Sequence, residues 1–484
     1  MKVWTTQERY RVLQDASEIK DLYDKIQASD YRQTYHIQPI TGLSSDPNGF
    51  IYHKGTWHLY YQWCPWGAVH GLKYWYHTTS KDLIHWQNEG VGIHPDTIYD
   101  NKGVHSGSGF SRDEKLYLFY TGNHRDENWV RTPYTCLAQL TEDGQLIKEP
   151  KPLFGPHPDY TEHQRDPKVV YQEANQTYYI LLGAQSKDLK GKVLIYSSKE
   201  LLDGWTFAGE LKVPGYEDLG GMWECPSIAR IGDKDVLVFS PQYTTLPHRG
   251  PSTNHNIYLI GQMDYENLTF QADGDYRHLD YGFDFYAAQF AANVKDEDKA
   301  ILTAWMGLPD NHYPTEEDWE GSLVLPRELR MVDGKLLQRP VPQLSQLRQE
   351  KVNPDGFLPR VAELEIYNHG EDAQIQLFCK ADGTGGLSLR YDASSQTCTI
   401  DRSQMDLRFN EAIGEVLDVP LDRALTDLRI YIDRSSVELF FNEGEATFTS
   451  HLYPSAEENS YQLSPDLSLD MWTLKPSVTD EFRV

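Results

Sequence analysis

The feature that most constrains the fold of this chain is a two-strand phrase that recurs about every sixty residues. Each copy has a short strand pattern, a polar turn, and a strongly apolar or aromatic second strand. The five copies are residues 49–63, 107–122, 167–183, 225–241 and 287–307. A β-unit of this size cannot bury both faces alone, so neighbouring units must stack around an axis. The repeat therefore predicts an all-β fold built on a five-bladed β-propeller. A large β-sandwich is the alternative, which the regular period disfavours.

A polar residue stands in a corresponding place just before each copy of the phrase. These residues are Asp46, Ser106, Asp166, Glu224 and Asp284, at intervals of 60, 60, 58 and 60. In a propeller the first strand of each blade lines the central channel, so we expect these positions to face one another at one mouth. Like charges crowded in this way are costly unless they serve a function. Taken alone, each motif has an ordinary alternative, such as a β-turn for SDPNG or a surface ion pair for RDP.

The regions on either side of the repeats have different patterns. Asp15 and Glu18 form a capping-box pattern, and residues 19–26 place apolar side chains at helical spacing, which predicts one amphipathic helix. After Pro340 the sequence predicts a short helical connector, and the segments beyond it alternate apolar and polar residues, as is typical of a β-sandwich. We therefore predict an N-terminal helical segment (1–35), a propeller (36–338), a linker (339–355) and a β-sandwich domain (356–484).

Charge and cysteine usage exclude several classes of function. The chain has 72 Asp and Glu against 45 Lys and Arg, a formal net charge of -27, which disfavours nucleic acid and anionic membranes as partners. Its five cysteines are never spaced as CxxC, so neither a disulfide framework nor a zinc site is indicated. Without a signal-peptide core or a run of about 18 apolar residues, the protein is expected in the cytoplasm.

A series of short motifs appears in order along the repeats: SDPNG (45–49), YQW (61–63), HSGS (105–108), RDP (165–167), WECP (223–226) and DFYA (284–287). Together they resemble the motif series of the invertase and fructan-hydrolase family of glycosidases, glycoside hydrolase family 32. DRSSVELFFNEG (433–444) resembles that family's C-terminal sandwich. Within the family, the chain is most similar to the bacterial sucrose-6-phosphate hydrolases.

The resemblance implies a retaining β-fructofuranosidase that acts on terminal non-reducing β-D-fructofuranosides, such as sucrose or its 6-phosphate, through a covalent fructosyl-enzyme. It implies a small sugar as the partner, no cofactor and no metal, in a monomer or homodimer. Asp46 matches the nucleophile, Glu224 the general acid/base and Asp166 the stabiliser of the transition state. A retaining glycosidase needs its two catalytic carboxyl groups about 5–5.5 Å apart. We expect burial and like charge to raise the pKa of Glu224, and Arg165 to keep Asp166 charged.

Further residues match the substrate-contact motifs of the family, and aromatic faces and side-chain amides suit the binding of sugar rings. The expected contacts are Gln62, Trp66, Ser106, Arg165, Asp284, Tyr286 and Trp305. The chain departs from the family pattern at Ser44 and Ser45, where Ser45 replaces the Asn that usually precedes the nucleophile. A phosphate on the substrate would require cations, and the candidates are His70, Lys73, Arg125 and Arg131.

Three other functions remain open from the sequence. An inverting arabinanase or xylosidase would use a similar channel with its acids farther apart. A sugar-binding protein that has lost catalysis is a second alternative, suggested by Ser45. Hydrolysis of short fructans, or fructosyl transfer through the same intermediate, is the third.

Overall fold

The computed structural model describes residues 3–309, 311–314 and 317–484, and strands make up most of it. As predicted, an all-β propeller is followed by a C-terminal β-sandwich. No helix among these residues is long and apolar enough to cross a membrane.

Five antiparallel sheets form the propeller, and we refer to each as a blade. Blade 1 contains β1 Gly42–His53, β2 Thr56–Cys64, β3 Tyr74–Ser80 and β4 Trp86–Ile93. Blade 2 contains β5 Val104–Arg112, β6 Lys115–Arg125, β7 Arg131–Leu140 and β8 Leu146–Lys148. Blade 3 contains β9 Tyr160–Gln172, β10 Thr177–Ser186, β11 Gly191–Ser198 and β12 Thr206–Glu210.

Blades 4 and 5 each include an additional short strand. Blade 4 contains β13 Met222–Ile231, β14 Lys234–Gln242, β15 Ile257–Asp264, β16 Thr269–Ala272 and β17 Arg277–His278. Blade 5 contains β18 Tyr286–Phe290, β19 Lys299–Met306, β21 Ser322–Leu323, β22 Arg327–Val332 and β23 Lys335–Pro340. The remaining strand of this region, β20 Trp319–Glu320, joins blade 1 instead.

The first strands of the blades surround a common axis. In chain order, β1, β5, β9, β13 and β18 each contact the next, and β18 contacts β1, so the ring is closed. Strand β20 strengthens the closure because it pairs in parallel with β1, aligning Trp319 with Gly42 and Glu320 with Leu43. Residues near the beginnings of these first strands therefore lie at one mouth of the channel.

Each first strand carries a register shift near this mouth. In the last three blades the shift coincides with a residue of left-handed conformation: Asp166 (φ 68), Cys225 (φ 49) and Ala287 (φ 53). A β-bulge re-aims the neighbouring side chains. These three residues, rather than the spacing of acids in the sequence, mark equivalent positions in the three blades.

The N-terminal segment begins with the short helix α1 Thr6–Arg9 and continues through a 3-10 helix, Ala16–Ile19, into α2 Lys20–Gln27. The predicted capping box at Asp15 and Glu18 is present, and it starts the 3-10 helix. Ile19 and Ile26 are buried, as the helical pattern indicated, and Ile19 packs in a cluster with residues of blade 1.

A 3-10 helix, Pro342–Leu347, connects the propeller to two packed sheets. The first sheet contains β24 Arg348–Lys351, β25 Val361–Tyr367, β30 Asp427–Asp433, β31 Ser436–Phe441, β32 Ala446–His451 and β34 Ser468–Leu474. The second contains β26 Ala373–Cys379, β27 Gly386–Asp392, β28 Thr397–Gln404, β29 Val416–Pro420 and β33 Ser460–Leu463. Their facing apolar side chains form a core cluster of their own.

Buried ion pairs connect the sandwich to the propeller. Arg327 of β22 has no exposed surface and contacts Asp280 at 3.0 Å and Glu438 of the sandwich at 2.9 Å. His36, which precedes the propeller, lies between Asp433 at 2.8 Å and Glu438 at 3.0 Å. Although burial opposes it, hydrogen bonds to these two carboxylates and their charges raise the pKa of His36 to about 9. We call these five residues the interdomain network.

Candidate active site

Three carboxylates from different blades meet at the channel mouth. Asp46 lies on β1, Asp166 on β9 and Glu224 on β13. Their proximity appears in their electrostatics: burial and the charges of Glu224 and Asp46 raise the pKa of Asp166 to about 7, against the opposing charge of Arg165. Acids that lie 120 and 58 residues apart in the sequence (46 to 166 and 166 to 224) are therefore close together.

Asp46 is held by polar groups from two blades. The amide of Gln62 donates to Oδ2 at 2.7 Å, and the hydroxyl of Ser106 donates to the same oxygen. Gln62 also bonds to Ser106, so the three side chains form a closed triangle. Oδ1 accepts no hydrogen bond from the described residues. One oxygen of Asp46 is fixed, while the other is available for bond formation.

Glu224 lies between the guanidinium of Arg165 and the phenol of Tyr286. Arg165 donates to Oε1 through Nε at 2.8 Å and through a terminal nitrogen at 2.5 Å, and the Tyr286 hydroxyl donates to Oε2 at 2.6 Å. Burial favours the protonated form, but the charge of Arg165 and these hydrogen bonds outweigh it, so the pKa of Glu224 lies below its ordinary value. The expectation of a raised pKa at Glu224 is therefore wrong for the unliganded site.

Asp166 has the opposite environment, although it follows Arg165 directly in the chain. Its Oδ2 accepts the Cys225 backbone N–H at 2.9 Å and lies 3.5 Å from the Cys225 thiol, which the sequence reading had not identified as a site residue. Only 6 % of Asp166 is exposed. The expectation that Arg165 keeps Asp166 charged is also wrong, because the guanidinium extends to Glu224 on the next blade. Burial and like charge therefore favour the protonated form of Asp166, whereas Arg165 favours the ionised form of Glu224.

The left-handed residues explain this exchange of partners. Asp166, Cys225 and Ala287 occupy equivalent positions, so the residues before them, Arg165, Glu224 and Tyr286, are equivalent as well. These three are the side chains that the hydrogen bonds connect around the mouth. The near-constant spacing had instead aligned Glu224 with Asp166 and Asp284, one residue or more out of phase.

Asp284 lies outside the acidic pocket as a consequence. It has no exposed surface and accepts hydrogen bonds from Asn311 and Tyr313 at 2.6 Å and from the His451 backbone of the sandwich at 2.8 Å. The expectation that it faces the other acids and contacts substrate is therefore wrong. Its carboxylate joins the two domains.

Trp66 and Trp305 differ in a similar way. Trp66 donates through Nε1 to the Arg11 backbone at 2.8 Å, and the Arg11 guanidinium lies 3.5 Å from its ring centroid, so it binds the N-terminal segment and not the acidic pocket. Trp305 remains at the mouth, 6.5 Å from Tyr286 and 6.0 Å from His70 between ring centroids. The predicted contact of Trp66 with the sugar stays a prediction.

Cations line one side of the mouth. Lys73 precedes β3, Arg125 ends β6 and Arg131 begins β7, and we call these three the cationic rim. None of them forms an ion pair with a carboxylate of the described residues. Lys73 reaches the catalytic pocket, since its Nζ lies 3.4 Å from the Ser45 hydroxyl and its charge also lowers the pKa of Glu224.

The pKa values of two histidines reflect how close these cations lie to one another. Burial, followed by the charges of Lys73, Arg131, Arg165 and Arg125, lowers the pKa of His105 well below its ordinary value. Burial, followed by the charges of Lys73 and Arg9, lowers the pKa of His70 to about 3. Neither imidazole adds a charge at neutral pH. The sequence analysis named neither His105, although it begins the HSGS motif, nor Arg9, which lies in no motif.

Comparison with known proteins gives consistent results over the whole chain. The family model described as "Glycosyl hydrolases family 32 N-terminal domain" matches residues 36–340, and the model for the C-terminal domain of the same family matches residues 344–470. A sucrose-6-phosphate hydrolase of Staphylococcus xylosus is 37% identical over 477 residues, which cover 95% of either chain.

Solved structures share the same architecture. A sucrose-6-phosphate hydrolase from Lactobacillus gasseri superposes with a TM-score of 0.91 at 32% identity, covering 98% of this chain and 100% of that one. A family 32 β-fructofuranosidase of Bombyx mori gives a TM-score of 0.82 at 28% identity, covering 96% of this chain and 100% of that one.

Proposed function

The chain belongs to glycosyl hydrolase family 32 along both of its domains, and we propose on that basis that its substrate is sucrose 6-phosphate. It is a retaining β-fructofuranosidase, and hydrolysis releases the terminal fructosyl unit. The finer proposal concerns which fructoside it prefers and which residues act. Cytoplasmic location is part of the proposal, because a phosphorylated sugar does not cross a membrane unaided.

The cationic rim is the observation that carries the choice of substrate. In a protein with net charge -27, three cations beside the acids that have no carboxylate partner in the described part of the chain favour an anionic ligand. A phosphate on the fructosyl unit would lie among Asp46, Asp166 and Glu224 and be repelled. A phosphate on the glucosyl leaving group would extend past Glu224 toward Lys73, Arg125 and Arg131. We therefore propose that the phosphoryl group is carried by the glucosyl unit.

We assign the first chemical step to Asp46 and Glu224. The free Oδ1 of Asp46 attacks the anomeric carbon of fructose, while Gln62 and Ser106 hold Oδ2 in place. The bond to the glycosidic oxygen breaks, and Glu224 donates a proton to that oxygen. The product is glucose 6-phosphate, and fructose remains attached to Asp46 as an ester.

In the second step Glu224 removes a proton from water, which attacks the same anomeric carbon and releases Asp46. Two displacements at one carbon restore its configuration, consistent with the retaining family. Asp166, oriented by the Cys225 backbone N–H, stabilises the positive charge that develops on the fructosyl ring.

The first step requires the shared proton to be on Glu224 when the leaving group departs. Arg165 and Tyr286 favour the ionised form of Glu224, whereas burial and the neighbouring charges favour the protonated form of Asp166. An incoming phosphate competes for the positive charges of Arg165 and Lys73, which weakens their hold on Glu224. Substrate binding thus favours transfer of the proton to Glu224 and ionisation of Asp166, the state that each role demands.

The test compares kcat/KM on sucrose, sucrose 6-phosphate and 1-kestose with one enzyme preparation. Two additional charge-assisted hydrogen bonds to phosphate would raise kcat/KM on sucrose 6-phosphate by about 100-fold over sucrose. Equal efficiencies on those two substrates would exclude the phosphate preference, and a preference for 1-kestose would indicate a fructan hydrolase. Proton NMR of the first fructose anomer released checks retention in the same reaction.

A further inference from the structure

We propose that residues 4–13, hereafter the segment, are part of the substrate site and that Arg9 determines specificity for the 6-phosphate. This inference rests on the proposed function, since it concerns the same phosphorylated substrate. It extends the binding site beyond the propeller that bears the catalytic acids.

The segment is fixed in shape before it meets the propeller. Thr5 and Glu8 form a capping box around α1, with the Thr5 N–H donating to the Glu8 carboxylate at 2.8 Å. Downstream, the Glu18 carboxylate accepts the Gln14 N–H at 2.7 Å and also bonds to Arg11. Local hydrogen bonds at both ends leave residue 9 with little conformational freedom.

The loop between β2 and β3, which leads to Lys73, receives this segment. The Leu72 N–H donates to the Arg9 carbonyl at 2.8 Å, and the Leu13 N–H donates to the Tyr74 hydroxyl at 2.8 Å. Gly71 is required for this contact, because a Cβ there would lie 2.1 Å from the Arg9 carbonyl oxygen. Gly67 similarly makes room for Trp4, whose ring a Cβ would approach to 2.6 Å.

Docking brings two side chains of the segment to the cationic rim. The positive charge of Arg9, like that of Lys73, lowers the pKa of His70. The Tyr10 hydroxyl partly offsets the lowering of the Arg131 pKa by burial and neighbouring cations. The Tyr10 ring packs against Trp129, between Arg125 and Arg131 in sequence, with 5.2 Å between centroids. The segment therefore bridges the cations of blades 1 and 2.

Three arginines at this mouth present hydrogen-bond donors that suit an anionic ligand. Arg9, Arg125 and Arg131 each have a buried Nε–H with no acceptor among the described residues. Burying a guanidinium donor without an acceptor is costly, and an ionised phosphate oxygen is the acceptor that guanidinium groups match best. Three such donors at the edge of one mouth are explained by a phosphoryl group bound between them.

The experiment measures the ratio of kcat/KM on sucrose 6-phosphate to kcat/KM on sucrose in four variants. Arg9→Gln removes the charge, and Gly71→Ala displaces the segment without altering any charge. Arg112→Gln, at the opposite end of blade 2, and Gly274→Ala, where a Cβ meets nothing within 4 Å, are the matched controls. We expect the ratio to fall about tenfold in the first two variants and to stay within twofold of the parent in the controls.

A binding readout accompanies the kinetic one. With sucrose as substrate, the inhibition constant of glucose 6-phosphate should rise about tenfold in Arg9→Gln and less in Arg9→Lys, which keeps the charge. Equal losses on both substrates would mean that Arg9 only supports the loop, and an unchanged ratio would mean that it does not bind phosphate; either result overturns the inference. A parent enzyme without phosphate preference refutes the proposed function itself, so the two failures are distinguishable.

Discussion

Two groups of three carboxylates are sequestered in this molecule, and they are neutralised in opposite ways. In the interdomain network, Asp280, Asp433 and Glu438 each contact a cation within 3.0 Å. At the channel mouth, Asp46, Asp166 and Glu224 share a single ion pair, from Arg165 to Glu224. Every carboxylate of the first group thus has an ion-pair contact, and the group holds the domains together. The second retains unbalanced negative charge, which a reaction through a positive transition state can use.

The comparison shows that the same kind of buried carboxylate serves stability in one place and function in the other. When a buried carboxylate has all its partners, removing one of them lowers stability, because a buried charge is left uncompensated. A crowded carboxylate already has an unfavourable environment, so removing its charge relieves the fold while abolishing its role. The predictions below test this division in order of decreasing effect.

Replacing the two catalytic acids should have the largest effect. We expect Asp46→Ala and Glu224→Gln to lower kcat on either substrate by about 10⁴-fold, because the first removes the nucleophile and the second the proton donor. Initial rates measure the loss, and the circular dichroism spectrum should be unchanged. Activity within tenfold of the parent in either variant would refute the assignment.

Breaking the interdomain network should instead reduce stability. Arg327→Met leaves Asp280 without a cation and Glu438 with His36 alone, and we expect it to lower the free energy of unfolding by roughly 3–5 kcal/mol. Arg330→Met, on the solvent-facing side of the same strand, should cost less than about 1 kcal/mol. Urea unfolding compares the two variants. Similar losses in both would show that the network adds nothing beyond a surface ion pair.

The interdomain network should also make stability depend on pH. His36 has a pKa of about 9 in the folded protein against an ordinary value of 6.5, so the folded state binds its proton more tightly. Its stabilisation is complete below pH 6.5 and is lost as the pH rises through 9, an effect on the order of 3 kcal/mol. Urea midpoints from pH 6 to 9.5 measure this decline, which His36→Gln should flatten.

The catalytic group should give activity a different pH dependence. The proton of Asp166 leaves with a pKa of about 7, and Glu224, whose pKa lies below its ordinary value, is ionised before it. Above that pH no acid remains to protonate the leaving group, so kcat/KM on sucrose should fall about tenfold per unit. The pH profile of kcat/KM reports this limb. A plateau extending to pH 9 would exclude a single shared proton.

The smallest expected effect has the opposite sign to that of Arg327→Met. Asp166→Asn removes a crowded charge but keeps an acceptor for the Cys225 N–H, and it should stabilise the inactive protein by on the order of 1 kcal/mol at pH 8. Because a folded pKa of about 7 penalises the ionised form, the gain should vanish as the pH falls toward 4. A loss of stability at pH 8 would show that the two acid groups do not differ as described.

The sequence was sufficient to predict the arrangement of domains and the convergence of the three acids. Strand alternation and the sixty-residue period are local patterns, and the closed ring converts that period into proximity. The partner of Arg165 was not predictable, because a single left-handed residue at Asp166 turns the guanidinium toward the next blade. Asp284 was misplaced for the same reason, since the bulges shift the phase by residues that a count of intervals does not reveal.

Long-range contacts set the other limit. Trp66 was expected to contact substrate from its motif, but its partner is Arg11, in a segment whose docking depends on Gly71 and Tyr74. Nothing in the spacing of residues 4–13 indicates that Arg9 approaches Lys73. The cations of the loops were identified as candidates individually, yet only the fold shows that they lack acidic partners.

The parallel pairing of β20 with β1 has a consequence for synthesis of the chain. The strand that carries Asp46 emerges early from the ribosome, whereas its neighbour Trp319–Glu320 belongs to the last part of the propeller. A nascent polypeptide therefore displays Asp46 long before the surrounding wall exists. Catalytic competence is acquired late, and fragments released prematurely during translation would have no means of cleaving sugar.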